Sequence, residues 1–358
     1  MRLLIYGITG YTGGLVAERA AELGWKPKVA GRNPDKTRAV AERYGFPWTA
    51  FALNDRDRLM AALADVDAVL HLAGPFSATA SPMAAACVAS GTHYLDITGE
   101  IAVFEAMAGI DQEARAAGVM VMPGCGFDVV PSDCLAAHVK RRLPDAVALD
   151  LFITGLGQTS RGTAKTAVES IRHPARVRRN GRIVALKRPL RKTFRLPDRE
   201  AMGVSVSWGD VATAWHTTGI DEITVFFEEV GPMKALTGLH PFVRWVLSTP
   251  LGQRYLKAEI DKRPPGPTPE ERARSFAVIL GEARNHAGQV VRALLTTPEG
   301  YTLTAMTALE IARRVCEEEA AIPGFQTPAR VFGPDFILTF PGCKREDLPD
   351  SPSATKTG

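Results

Sequence analysis

Three glycines, Gly7, Gly10 and Gly13, recur at three-residue intervals in the opening "MRLLIYGITGYTGGLVAERAAELG", between a short apolar run and a stretch of helical periodicity. Glycine costs backbone entropy in a strand or a helix, so three at one junction need a reason. A strand that feeds directly into a helix leaves the first N–H groups of that helix without partners. Together with the helix dipole they attract a phosphate, provided no side chain blocks the approach. Gly7 permits the tight turn, Gly10 lets a diphosphate approach the backbone, and Gly13 lets the helix pack close to the sheet. Thr9 and Thr12 add hydroxyl donors. The spacing G-x-x-G-x-x-G is one residue longer than the dinucleotide fingerprint, so its position after a strand and before a helix carries the reading. The competing reading is a tight turn that holds no ligand.

The first third of the chain repeats one rhythm. Apolar runs at Leu3–Tyr6, Lys28–Ala30, Trp48–Leu53, Ala68–Leu72, His93–Ile97 and Met120–Met122 predict strands. Helical spacing separates them at Gly14–Leu23, Asp35–Tyr44, Asp55–Leu63, Ser81–Ser90 and Ala102–Ala117. Strands alternating with helices imply right-handed crossovers and a doubly wound parallel sheet, an α/β Rossmann architecture that binds ligands beyond the carboxyl ends of its strands.

The second strand selects the ligand. A site for NAD usually ends this strand with an acid; here "VAGRNPDK" supplies Gly31 and Arg32. An acid about 4 Å from a 2′-phosphate would cost about 4 kcal/mol at an effective dielectric near 20, whereas arginine reverses the sign and adds a forked donor. NADP is therefore expected, the alternative being a solvated surface arginine. The fourth strand ends in "HLAGPFS", where Ala73, Gly74, Pro75 and Phe76 form a sharp break expected to border the cofactor. Asn54 and Asp55 either approach the adenine or cap the next helix.

Two further strand ends, "HYLDITGE" and "VMVMPGCGFDVVPSD", fall at the same edge. Hydride transfer leaves charge on the acceptor, so a nearby proton donor is useful. Tyr94, a protonated Glu100, or a water held by Asp96 or Asp128 are the catalytic candidates. The competing reading has Asp96 and Thr98 fixing a turn, and Glu100, Asp128 or Ser132 serving helix termini. Cys125, His138 and His216 read as packing residues. No tyrosine is followed four residues later by lysine, so the Y-x-x-x-K pair of short-chain dehydrogenases is absent.

After Pro123 longer strand-like runs follow one another ("ALDLFITG", "GRIVAL", "ITVFFEEV", "SFAVILGEA", "QVVRALLTT"), which predicts a second mixed α/β domain with a largely antiparallel sheet. "NHAG" reads as a hairpin turn, and Thr268-Pro269-Glu270-Glu271 has capping-box spacing. Residues 172–195 hold ten arginines and lysines and no acid. This segment is either a solvated hairpin rim or a surface for phosphates, an acyl carrier or an anionic membrane. Aromatic residues for stacking on bases are nearly absent there, so no nucleic-acid partner is expected. Five scattered cysteines without a C-x-x-C pair, 46% apolar residues and a net charge of +4 describe a soluble cytoplasmic protein with no metal site. No apolar run is long enough for a transmembrane segment, and the first residues read as a strand rather than a signal peptide. A homodimer is the default assembly.

The motifs "GITGYTG", "AGR", "HLAGPF", "HYLDITGE" and "PGCGFDVVPSD" resemble those of saccharopine dehydrogenase-like oxidoreductases, most closely the bacterial trans-acting enoyl reductases. The resemblance continues through "SRGTAKTAVESI", "GEARNHAG", "EGYTLTAMTALEIA" and "GFQTPARVFGPDFI". It implies an NADP-binding Rossmann domain over residues 1–130 and a substrate domain over 131–301. A C-terminal helix and return segment over 302–343 would pack on the first domain, with a flexible tail over 344–358. Gly7, Thr9, Gly10, Tyr11, Thr12, Gly13 and Arg32 fall on the family's cofactor loop. The expected function is an NADP-dependent reductase acting on an activated C=C bond of a small or carrier-linked substrate. The alternatives are a C=N reductase of amino-acid-type substrates and a non-catalytic NADP-binding sensor or scaffold.

Overall fold

The computed structural model describes residues 2–155, 157–170, 174–230, 234 and 241–349 of the 358-residue chain. Two compact units divide the chain. One comprises Met1–Cys134 with Gly300–Phe340, and the other Leu135–Glu299 with Pro341–Gly358.

In the first unit six strands, β1 (Leu3–Tyr6), β2 (Lys28–Gly31), β3 (Trp48–Ala50), β4 (Ala68–His71), β5 (His93–Asp96) and β6 (Met120–Met122), alternate with helices α1 (Tyr11–Glu22), α2 (Pro34–Tyr44), α3 (Arg56–Leu63), α4 (Phe76–Ser90), α5 (Ile101–Gly109) and α6 (Asp111–Ala116). All pairings are parallel in the order β3-β2-β1-β4-β5-β6, and the two-residue strand Gly324–Phe325 extends the sheet beside β6. That order reverses direction between β1 and β4, the switch point at which such sheets hold a dinucleotide. β1, β4 and β6 are buried along their whole length, as strands covered on both faces must be. In α1 the buried residues Gly13, Val16, Ala17 and Ala20 form one stripe, and the helix Gly300–Glu317 packs on α1.

Three local features depart from the sequence reading. The expected helix over 102–117 is broken at Ile110, because the Asp111 carboxylate accepts the Phe325 backbone N–H at 2.7 Å and pairs with Arg115. Helix α4 begins at Phe76, five residues earlier than expected, because Glu100 supplies acceptors for its first N–H groups. Lys344–Leu348, expected to fray, pairs antiparallel with Arg292–Thr296 and buries Leu348. Residues 350–358 of the expected tail lie outside the described residues.

Helix α7 (Val130–Arg142) contains the division between the units. The second unit adds β7 (Ala148–Thr154), β8 (Arg176–Arg179), β9 (Arg182–Ala185), β10 (Arg191–Arg195), β11 (Glu200–Val206), β12 (Glu222–Glu228), β13 (Phe276–Arg284) and β14 (Val290–Pro298). They form a mixed sheet, β10-β11-β12-β7-β13-β14 and then Lys344–Leu348, with β8–β9 as a hairpin beside β12. Within this sheet only β7 and β12 run parallel among the described strands. In its core Phe194 stacks on Phe152 and meets Phe226 edge-on, and Gly203 leaves them room: a Cβ there would lie 2.7 Å from the Phe194 ring. The predicted capping box forms, Thr268 and Glu271 each accepting the other's backbone N–H. No helix among the described residues is long and apolar enough to cross a membrane.

Candidate functional site

The glycine corner lies within the first unit, where β1 turns into α1. Gly7 adopts φ +97°, a left-handed conformation that strains any L side chain, and a Cβ there would stand 2.7 Å from the Ala73 nitrogen. Gly13 faces the same turn: a Cβ on it would lie 2.5 Å from the Gly7 carbonyl oxygen and 2.7 Å from Ile8. Gly10 is different. It is exposed at the N-cap of α1, and its Cβ would meet only the Gly7 oxygen, at 3.5 Å. No side chain caps α1, and no acid occupies its first turn. The terminus thus keeps donors and positive potential facing outward, with glycine where a side chain would intrude. Thr9 is exposed, Thr12 half-buried, and the Tyr11 ring packs edge-on against Tyr301 at 5.0 Å.

At the end of β2, Gly31 is buried because a Cβ would sit 2.7 Å from the Thr37 hydroxyl and 3.7 Å from the Thr9 methyl. Thr9 is thereby placed beside the strand end that carries Arg32. The Arg32 side chain is exposed and pairs with no acid among the described residues. Asn33 caps α2 and Asp55 caps α3, so Asp55 serves its helix.

The β4 loop runs from half-buried Ala73 through exposed Gly74 and Pro75 to Phe76. The Thr79 hydroxyl donates to the Ala73 carbonyl at 2.6 Å. Phe76 stands edge-on to the His71 ring at 5.6 Å, and His71 also contacts Tyr6 and Tyr94. His71 is fully buried and neither ring nitrogen has a hydrogen-bond partner among the described residues. Burial pushes its pKa down to about 3, so it stays neutral. Sequence reasoning missed it; the continuous apolar run around it was the available signal.

The candidate acids separate by their partners. Asp96 is buried: one oxygen accepts the N–H groups of Thr98 and Gly124, and the other accepts the Tyr94 hydroxyl at 2.6 Å. Burial raises its pKa to about 6 against those donors, and the Tyr94 phenol is pushed up by burial and by the neighbouring carboxylate. Tyr94 and Asp96 thus tie β5 to the turn after β6. The Glu100 carboxylate accepts the N–H groups of Phe76 and Ser77, at 3.0 and 3.1 Å, and serves α4 rather than the helix that follows it. Asp128 lies against Gly99, where a Cβ would be 2.7 Å from its Oδ2, so the strand ends of β5 and β6 do converge. It keeps part of its surface and has no hydrogen-bond partner among the described residues. Burial alone raises its pKa to about 7. Cys125 is buried with its thiol pushed up and directed to the Met122 carbonyl; the Thr307 hydroxyl holds its own carbonyl at 2.8 Å.

In the second unit four of the ten cations of the basic segment are paired with acids within the chain. Arg179 pairs with Glu222, Arg191 with Glu229, Lys192 with Asp150 and Glu282, and Arg195 with Glu200. Arg178 is buried against the Trp215 ring, and Arg172 lies outside the described residues. His138, read as a packing residue, bonds Asp347 at 2.7 Å. No cluster of metal-ligating side chains occurs among the described residues.

The first unit can be compared with known proteins on this geometry. Residues 3–122 match the family model of the saccharopine dehydrogenase NADP binding domain. This segment is a saccharopine dehydrogenase-type NADP-binding domain. Part of the chain is similar to curated trans-acting enoyl reductases. The relative from Mycobacterium ulcerans (strain Agy99) is 28% identical over 162 residues, which is 43% of this chain and 39% of the relative. That from Mycobacterium bovis (strain BCG / Pasteur 1173P2) is 31% identical over 148 residues, or 39% and 35%. The chain therefore matches well under half the length of these relatives. Its fold is similar to that of apo saccharopine dehydrogenase (L-Glu forming) from Saccharomyces cerevisiae, with a TM-score of 0.63 at 12% identity over 97% of this chain and 100% of that one. The glycine corner, the end of β2 and the β4 loop all fall inside the NADP-binding domain.

Proposed function

We propose that the chain is an NADPH-dependent reductase that reduces an activated C=C bond of a thioester or carrier-linked acyl substrate. The observation that carries this reading is the α1 terminus, uncapped by any side chain and free of acid in its first turn, with glycine at each position where a Cβ would crowd the turn or its approach. Gly7, Thr9, Gly10, Thr12 and Gly13 would hold the diphosphate, and Tyr11 would flank it. Arg32 beside Thr9 would take the 2′-phosphate. Ala73, Gly74, Pro75 and Phe76 would border the nicotinamide side.

Bound NADPH supplies a hydride, and the chain's residues must then manage one proton. Tyr94 and Asp96 are each other's partners and Glu100 is spent on two backbone N–H groups. Asp128, whose pKa is raised to about 7 so that a fraction keeps its proton at neutral pH, is still partly accessible and is left as the donor that would complete saturation of the double bond after hydride addition. The likeness to trans-acting enoyl reductases supports a C=C over a C=N acceptor.

The test is NADPH oxidation with a panel of enoyl thioesters, set against imines formed from keto acids and amines. Turnover of the thioesters is expected. Turnover of imines alone rejects the acceptor, and tight NADPH binding without any turnover rejects the enzyme.

A further inference from the structure

Asp128 has no hydrogen-bond partner among the described residues, so what fixes its place acts through the backbone on either side of it. Two threonines of the helix Gly300–Glu317 supply that hold. The Thr304 hydroxyl accepts the Phe127 N–H at 3.0 Å, and the Thr307 hydroxyl donates to the Cys125 carbonyl at 2.8 Å. All four residues belong to the first unit, and both threonines are buried. Beyond Asp128 the N–H groups of Val129 and Val130 turn back to the Gly126 carbonyl. The turn is thus closed around Asp128, and its side chain is the part left to move.

Helical threonines commonly donate their hydroxyl to the carbonyl four residues back. Thr304 does so, to Gly300 at 2.8 Å, which leaves its oxygen as the acceptor for Phe127. Thr307 gives its proton to Cys125 and keeps only a longer contact, 3.4 Å, with its own helix. At a spacing of three the two hydroxyls share one helix face. One receives and the other gives, matching an N–H and a carbonyl two residues apart. The packing is as specific. A Cβ on Gly126 would lie 2.9 Å from the Thr304 methyl, and one on Gly300 would lie 3.2 Å from the Phe127 ring. On its other side Asp128 fills the slot that Gly99 leaves open. The same helix reaches the glycine corner, where Tyr301 meets Tyr11 edge-on.

We infer that Thr304 is a positioning residue, which through the Phe127 N–H holds the Asp128 carboxyl at a fixed place relative to the glycine corner. Its consequence for turnover rests on the reading of Asp128 as proton donor, whereas the hold itself is observable without substrate. Proton delivery needs the donor within hydrogen-bond reach of the reacting atom, so a looser turn costs rate rather than cofactor affinity. A looser turn also admits water to a carboxyl whose raised pKa has burial as its only cause.

The experiment titrates the full chain, isotope-labelled in its aspartate carboxyls, by NMR, with Asp128→Asn identifying the resonance. In wild type Asp128 should titrate at about 7. Thr304→Val keeps the size of the side chain but leaves the Phe127 N–H unpaired. It should move the midpoint down by at least about one pH unit, toward the ordinary carboxylate range. Thr304→Ser restores the hydroxyl and should titrate near wild type. With an enoyl thioester, Thr304→Val should lower kcat about tenfold or more while KM and NADPH affinity change less than about twofold, and Thr304→Ser should recover most of the rate. Thermal unfolding shows whether the valine variant is folded; were it not, Thr307→Val, which withdraws the Cys125 contact from the same turn, is scored by the same titration. A folded valine variant whose Asp128 titrates like wild type overturns the inference, as does a serine variant shifted as far as the valine one. If Asp128→Asn turns over as fast as wild type, the proton-donor reading fails, and the titration still decides whether Thr304 holds the turn.

Discussion

Three glycines within five residues, Gly10, Gly13 and Gly14, should respond to alanine in three different ways. At Gly13 the new methyl would lie 2.5 Å from the Gly7 oxygen and 2.7 Å from Ile8, all backbone atoms that cannot rotate away. Helix α1 must shift as a body, and overpacking of this kind costs about 1–3 kcal/mol. Gly14 has nothing within 4 Å of its Cβ position and lies inside the helix, so alanine there should stabilise by about 0.5–1 kcal/mol. At Gly10 the Cβ position is open, with the Gly7 oxygen at 3.5 Å, and the backbone (φ −77°, ψ 169°) suits alanine. Stability should change by no more than about 1 kcal/mol, since alanine is a poorer N-cap than glycine. The methyl would, however, project where the diphosphate must approach. Thermal unfolding without cofactor and fluorescence titration with NADPH separate the effects. The midpoint should fall for Gly13→Ala, rise for Gly14→Ala and stay near wild type for Gly10→Ala. NADPH affinity should drop about tenfold or more for Gly10→Ala, at least about 1.4 kcal/mol, and be retained by Gly14→Ala. If Gly10→Ala binds NADPH as tightly as wild type, the diphosphate does not lie over this corner.

Arg32→Asp removes a charge-assisted bond worth about 1.5–3 kcal/mol and introduces repulsion, so NADPH affinity should fall at least about 100-fold and the preference over NADH should disappear; an unchanged ratio in parallel titrations misplaces the 2′-phosphate. In wild type, turnover should decline as pH rises through about 7, where Asp128 loses its proton, and Asp128→Asn should lower kcat by about 10²- to 10⁴-fold and lack that inflection, while binding NADPH normally. His71, held near 3 when folded but titrating near 6.5 when unfolded, takes up its proton only in the unfolded chain between those values. It therefore withdraws up to about 1.4 kcal/mol of stability per pH unit as pH falls through that window. Asp96 and Asp128 act oppositely, since their raised values make the folded state keep protons that the unfolded state has lost above about pH 4. Urea unfolding of wild type and His71→Phe isolates the histidine: the variant's advantage should grow as pH falls from 6.5, and a pH-independent offset would refute the assignment.

The parallel sheet was legible because each strand is a short apolar run and each helix has its own period. β1, β4 and β6 start where the pattern places them, and each is buried along its length. What escaped depended on partners distant in sequence. The break at Ile110 exists because Asp111 is recruited by Phe325, more than two hundred residues away, and Lys344–Leu348 is a strand only because β14 offers it an edge. Composition could not show which cations of 172–195 are paired either, since Asp150, Glu222, Glu229 and Glu282 are distant in sequence.

The same contrast runs through the site. At the glycine corner the group proposed to bind is the backbone, and residue identity at local spacing decides whether it is accessible, so a single sequence suffices to propose it. For a carboxylate, chemistry depends on how many of its lone pairs are already taken. Tyr94, Asp96, Glu100 and Asp128 were indistinguishable as letters near two strand ends. Asp96 spends its acceptors on Tyr94, Thr98 and Gly124, and Glu100 on Phe76 and Ser77. A carboxylate so saturated loses several hydrogen bonds if it moves, which suits a turn anchor and not a proton donor. Asp128 faces Gly99 with no such donors, and burial holds its proton near neutrality for want of anything to stabilise the anion. That is why Asp128, with no hydrogen-bond partner among the described residues, is the acid the proposal assigns to proton transfer.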